Sequence, residues 1–142
     1  MLRTYSERPI HFSLPNYENR LHKLASLMGR NGLLIGFCGD VWDLNSVRNV
    51  MWLQRHTYKL MLAGIEACII IPNHTYELTS FYMSIPRTIP FQVLADPEAR
   101  VYAAYNIQQP SYVYLDRKGQ QRMGYTIQHG TEPQLHEVVP IG

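Results

Sequence analysis

The stretch from Gly32 to about Leu62 constrains the chain most. It opens on five consecutive apolar or small residues, Leu33-Leu34-Ile35-Gly36-Phe37. A segment rich in turn formers follows, Cys38-Gly39-Asp40-Val41-Trp42-Asp43-Leu44-Asn45-Ser46, and then a helix-period segment beginning Val47-Arg48-Asn49-Val50. A run of five without polar alternation suits a strand covered on both faces. Asp43, Asn45 and Ser46 are all residue types that accept hydrogen bonds from the free N–H groups of a helix's first turn. Strand, loop and helix N-terminus together aim backbone donors and the positive end of a helix dipole at one loop, an arrangement open to chemistry.

Around this stretch the rest of the chain alternates. Ile10, Phe12 and Leu14 alternate with His11 and Ser13, which is strand periodicity, and residues 1–9 read as a flexible arm. Leu21, Leu24 and Leu27 recur every third residue before Gly29-Arg30-Asn31-Gly32, which predicts one or two helical turns with a glycine stop. Over residues 45–62, Val47, Val50, Leu53, Leu60 and Met61 share a helical face, ended by Gly64. Ile65 to Ile71 reads as a second buried strand. Asn73 is the expected cap of a helix with Leu78, Phe81, Tyr82 and Ile85 at i, i+3, i+4, i+7.

Phe91 to Leu94 is a short strand, and Asp96-Pro97-Glu98 carries the signs of a helix start. Pro110 to Leu115 and Gln120 to Ile127, joined by Asp116-Arg117-Lys118-Gly119, predict an antiparallel hairpin. A short helix near Glu132–Val139 is confined by Pro133 and Pro140. The order β-α-β-α-β-α-β-β-α implies a mainly parallel sheet with antiparallel strands added at one side. No linker or internal repeat interrupts it, so residues 1–142 are expected to form one α/β domain.

Composition narrows the function classes. With 142 residues, 46% hydrophobic and 17% charged, the chain has the make-up of an ordered globular protein. A formal net charge of +2, with no basic run interleaved with aromatics, argues against nucleic acid. The longest apolar run, Ala67 to Ile71, is too short to span a bilayer, so no membrane association is expected. The first nine residues contain no apolar h-region, so no signal peptide is expected. Two cysteines do not make a disulfide framework, and together these features point to the cytoplasm. The six histidines show no H-x-x-x-H spacing and the cysteines no C-x-x-C, so no metal site and no cofactor is expected.

Four strings, spread over most of residues 10–128, resemble the thioredoxin-fold redoxins, in particular the peroxiredoxin-like group of alkyl hydroperoxide reductase and thiol-specific antioxidant proteins. Phe12-Ser13-Leu14-Pro15, with Leu24-Ala25-Ser26-Leu27 after it, is similar to that group's N-terminal arm. Gly36-Phe37-Cys38-Gly39-Asp40-Val41-Trp42 resembles the strand and tryptophan that precede the thioredoxin active site. Ile89-Pro90-Phe91-Gln92-Val93-Leu94-Ala95-Asp96-Pro97 resembles the peroxiredoxin P-F-x-x-L-x-D-P segment, continued by Ala103-Ala104-Tyr105-Asn106-Ile107. Pro110-Ser111-Tyr112-Val113-Tyr114-Leu115-Asp116-Arg117-Lys118-Gly119 resembles the thioredoxin P-T-x-x-x-x-D-x-x-G strand and turn. The resemblance implies a thioredoxin-like three-layer fold, with a central mixed sheet and a C-terminal antiparallel hairpin.

The departures bear on function. With Trp42 as anchor, the family's C-x-x-C falls on Asp43-Leu44-Asn45-Ser46, so both redox cysteines are replaced. In the peroxiredoxin version, P-x-x-x-T-x-x-C, the same positions read Gly39, Asp43 and Ser46. The peroxide-activating arginine would fall at Pro110, which instead suits a thioredoxin-type cis-proline. Serine stays protonated and has no sulfenic-acid chemistry, so it does not replace a thiolate. As residues, Asp43 and Ser46 read as a helix N-cap and a first-turn hydroxyl.

The leading expectation is therefore a redox-inactive binding module, a pseudoenzyme whose partner is a protein, a peptide or glutathione. If it is an enzyme, it is a thiol-dependent oxidoreductase or peroxidase using Cys38, at the C-terminal end of the first buried strand, where open α/β sheets place ligands. Cys38 also reads as a small buried side chain, and Cys68, among Ala67, Ile69 and Ile70, as core. A third reading puts glutathione or an extended peptide beside Pro110. Arg48, in the first helical turn, reads either as an anion contact near the loop or as an exposed structural arginine.

Overall fold

The computed structural model describes residues 9–85, 87–128 and 130–141. The expected arm over residues 1–9 lies outside these, apart from Pro9. The elements run β1 (Ser13–Pro15), β2 (Leu21–Lys23), α1 (Leu24–Leu27), β3 (Leu33–Phe37), α2 (Leu44–Leu62), β4 (Glu66–Ile71) and α3 (Thr75–Ser84). They continue β5 (Gln92–Ala95), α4 (Arg100–Ala104), β6 (Ser111–Leu115), β7 (Gln121–Thr126) and α5 (Leu135–Val138).

Strands β3 to β7 form one mixed sheet in the order β5-β4-β3-β6-β7. Strand β3 pairs parallel with β4, and β4 parallel with β5. The hairpin β6–β7 closes the other side, antiparallel to β3 through β6. All five residues of β3 are buried, as an apolar run at the centre of a sheet covered on both faces must be. The period of two sorts its neighbours between two cores. Leu34, Ile69, Ile71, Val93 and Tyr112 pack with Val50, Trp52, Leu53, Leu78, Phe81 and Val138, the side of α2, α3 and α5. Leu33, Ile35, Phe37, Cys68, Ile70 and Val113 pack with Leu24, Leu27, Val101 and Tyr102, the side of α1 and α4. This is a three-layer α/β fold.

Glycine is required just before β3 and eases the packing within it. Gly32 has φ +126°, and a side chain there would overlap the carbonyl oxygen of Leu115. Gly36 lets Ile69 and Tyr112 close over the sheet, where a Cβ would meet the Ile69 methyl.

Several sequence expectations are corrected. The Leu21-Leu24-Leu27 repeat is not one helix: Leu21 lies on β2, paired with Pro15 and 67% exposed, and only residues 24–27 are helical. Met61 does not share the buried face of α2 and is 58% exposed. Asn73 does not cap α3, whose N-cap is His74. It is buried and used across the sheet edge, accepting the Val41 N–H at 3.1 Å and donating to Asp40 and Glu77. After Asp96-Pro97-Glu98 the chain makes a turn first, with Ala99 at φ 54°, and α4 starts at Arg100. The Asp96 carboxylate still serves that helix, accepting the N–H groups of Arg100, Val101 and Tyr102.

Candidate functional site

The loop Cys38–Asp43 joins the C-terminal end of β3 to the N-terminus of α2. Asp43 is the N-cap, its Oδ1 accepting the Asn45 N–H at 2.9 Å, and it remains exposed. Ser46 points the other way. It is buried, and its hydroxyl proton is shared between the carbonyl oxygens of Gly39 (3.0 Å) and Asp40 (2.7 Å). That bond staples the loop to the first turn and leaves the hydroxyl committed to the backbone. Trp42 is 69% exposed but held at two points. Its backbone N–H donates to Asp40 Oδ1 (2.8 Å) and its indole N–H to Glu77 Oε2 on α3 (3.1 Å).

Cys38 lies beneath this loop. It is 1% exposed, its N–H donates to the Ile70 carbonyl, and its own carbonyl accepts the Tyr102 hydroxyl at 2.6 Å. Burial pushes its thiol up to about 12, and the amide of Asn49, 4.0 Å from Sγ, offsets this only in part. Cys68 is fully enclosed in the other core, and burial pushes it up to about 12 as well. Both cysteines are unpaired. A nucleophilic thiol needs thiolate and access. Cys38 is enclosed here, and burial favours its protonated form.

Pro110 precedes β6 and its carbonyl accepts the Ile127 N–H at 2.9 Å. No peptide bond among the described residues is cis, so the expected cis geometry at Pro110 is corrected to trans. Pro110, Asp43 and Arg48 line one groove of about 590 Å³. The floor includes Trp52 and Tyr112, whose ring centroids are 4.8 Å apart. The far wall is formed by Ile127, Gln128 and residues 130–133. It is tied to α2 by the Trp52 indole N–H donating to the Pro133 carbonyl (3.1 Å) and by an Arg55–Glu132 ion pair at 2.6 Å. A cavity of this size, apolar beneath and polar at its rim, is of the kind that takes small ligands.

The structure thus gathers Asp43, Arg48 and Pro110, buries Ser46 and Cys38 beneath them, and turns Trp42 toward α3. It adds Asn49, Trp52, Arg55, Tyr112 and Glu132, which the sequence reading did not single out. A signal existed in part: Arg48, Trp52 and Arg55 stand at i, i+4, i+7, one face of α2. Among the described residues no cluster of three or more His, Cys, Asp or Glu side chains could hold a metal ion, and no helix is long and apolar enough to cross a membrane.

No protein-family model and no curated protein sequence matches the chain. Solved structures do. Enterococcus faecalis AhpC superposes with a TM-score of 0.80 at 12% identity, covering 98% of this chain and 90% of that one. Peroxidoxin BcpB from Mycobacterium tuberculosis gives 0.77 at 10% identity, covering 86% and 84%. A secreted M. tuberculosis disulfide oxidoreductase homologous to E. coli DsbE gives 0.67 at 16% identity, covering 86% and 87%. Identities this low speak to architecture alone, and they agree with the strand order, the two helical layers and the terminal hairpin: the chain has the thioredoxin fold, in a form similar to that of the peroxiredoxins and disulfide oxidoreductases.

Proposed function

We propose that this protein is a thioredoxin-fold binding module that does not carry out thiol chemistry. The observation that carries the proposal is the state of Cys38, the one thiol next to the loop: it is 1% exposed, and burial holds it protonated. The loop offers no substitute. Asp43 is spent as an N-cap, Ser46 is bonded to two carbonyls, and neither the carboxylate nor the hydroxyl can be oxidised and recycled as sulfur can. The groove beside Pro110 supports the binding half of the proposal, with a peptide or glutathione as its occupant. A reducing, cytoplasmic setting belongs to the same proposal, since two buried and unpaired thiols need no oxidising compartment.

The test is peroxide consumption in the presence of excess dithiol reductant. The wild-type protein is expected to turn over hydrogen peroxide and an organic hydroperoxide no faster than the Cys38→Ser variant or buffer alone. Turnover that disappears in Cys38→Ser and persists in Cys68→Ser would establish an unorthodox peroxidase instead.

A further inference from the structure

The groove carries more information about its occupant than its size. Among the described residues four charged side chains line it: Asp43, Arg48, Arg55 and Glu132. Arg55 and Glu132 neutralise each other across the groove at 2.6 Å. Asp43 is engaged by the Asn45 N–H at the start of α2. Arg48 has no acidic partner within 4.0 Å among the described residues, although it is exposed and lines the cavity. It also stands in the first turns of a 19-residue helix, where the dipole adds positive potential. A guanidinium left unpaired at the rim of an apolar pocket is suited to a carboxylate, which it binds through two parallel N–H bonds.

The remaining surface defines what the carboxylate is attached to. Trp52 and Tyr112, their rings tilted against each other at 38°, form the largely buried floor, and Pro110 and Ile127 line the groove above them. Asn49 is more than nine-tenths buried and lines the same cavity. Its Nδ2 is directed at Cys38 Sγ, and no described residue donates to its Oδ1, so the amide has one acceptor left for a ligand N–H. A cation, an amide-type acceptor and an aromatic floor in one pocket match the groups of a peptide terminus.

We propose that the groove binds the free C-terminal carboxylate of a short peptide or N-acyl amino acid with an apolar side chain, the carboxylate on Arg48, an amide N–H on Asn49 and the side chain over Trp52 and Tyr112. The proposal rests on reading the chain as a binding module and adds the ligand's chemical class. It separates this ligand from glutathione, which has a terminal carboxylate but no large apolar side chain for the floor.

The experiment is isothermal titration of the full chain, with chemical-shift mapping on the Trp52 indole N–H. The probes are N-acetylphenylalanine, its uncharged amide N-acetylphenylalaninamide, and reduced glutathione. N-acetylphenylalanine is expected to bind and to shift Trp52. Capping the acid as the amide, or replacing Arg48→Gln, is expected to weaken binding about tenfold or more, as loss of a charge-assisted pair does. Arg48→Gln should bind acid and amide alike, and Arg48→Lys should recover part of the preference. Acid and amide binding wild type equally, an unchanged affinity in Arg48→Gln, glutathione binding the tighter, or no binding of N-acetylphenylalanine at millimolar concentration would each overturn the assignment. Peroxide turnover would overturn the redox-inactive reading and leave this binding untouched; failure here would remove the ligand class and leave that reading standing.

Discussion

Replacing Trp52 with alanine is expected to cost about 3–5 kcal/mol of folding stability, read as a lower urea midpoint with little change in slope. The residue is 2% exposed and packs against Tyr112 and His56, with ring centroids at 4.8 and 4.5 Å. Its indole N–H also holds the far wall of the groove through Pro133, which is itself buried. Trp52→Phe separates the two contributions: it keeps most of the apolar surface and removes the donor, leaving the Pro133 carbonyl unpaired at a cost of about 1–3 kcal/mol. In that variant the amide hydrogen-exchange protection of residues 130–132 should fall before that of β3. A Trp52→Ala cost below about 1 kcal/mol would mean that the ring is not in the core as described.

Alkaline pH gives the second large effect. Cys38 and Cys68 are both pushed up by burial to about 12, against 9.0 for the free thiol. The sign follows from proton counting. Below about pH 8 native and unfolded chains both hold these protons, and the thiols add no pH dependence. Between about 9 and 12 the unfolded chain releases them and the native chain does not, so stability falls as pH rises. For two protons the slope approaches about 2.7 kcal/mol per pH unit. Tyr102, Tyr105 and Tyr112, also raised by burial from 10.0, steepen it further above that pH. Urea titrations from pH 8 to 10 measure this directly, and Cys68→Ala should remove about half of the slope in the thiol-dominated part of the range. An unchanged slope in that variant would show that its thiol is not buried in the native state.

The fold was legible where hydrophobic pattern and burial coincide. Leu33–Phe37 has no polar alternation because β3 is covered on both faces, and Val50 and Leu53 keep helical period because α2 buries one side. The expected mixed sheet with a terminal hairpin follows from those elements, and the observed strand order has it. Reading failed where one pattern served two backbones. A leucine every third residue fits a short helix, yet Leu21 belongs to β2 because β1 offers it an antiparallel partner. Asn73 has the chemistry of a cap, but its carboxamide is worth more to the buried Val41 N–H than to an exposed helix start.

The site was half legible. The loop and helix N-terminus were found from local sequence, and so were Asp43 as cap and Arg48 near the loop. The groove's other wall was not, because Glu132 and Pro133 lie about eighty residues from α2, in a segment with no period of its own, and only the fold brings them to Arg55 and Trp52. The fate of Cys38 was equally hidden. Its place at a strand end left it open or enclosed, and what encloses it is Asn49 and Tyr102, from two other elements.

The central proposal, that the loop and groove of this thioredoxin fold surround no reactive thiol, is tested most directly by counting thiols. The native protein is treated with iodoacetamide at neutral pH, with and without prior exposure to hydrogen peroxide, and each cysteine is followed by mass spectrometry. Neither Cys38 nor Cys68 is expected to be alkylated while the chain is folded. Both should be alkylated after denaturation, and prior peroxide should change nothing. Rapid alkylation of native Cys38, blocked by prior peroxide, would contradict the account.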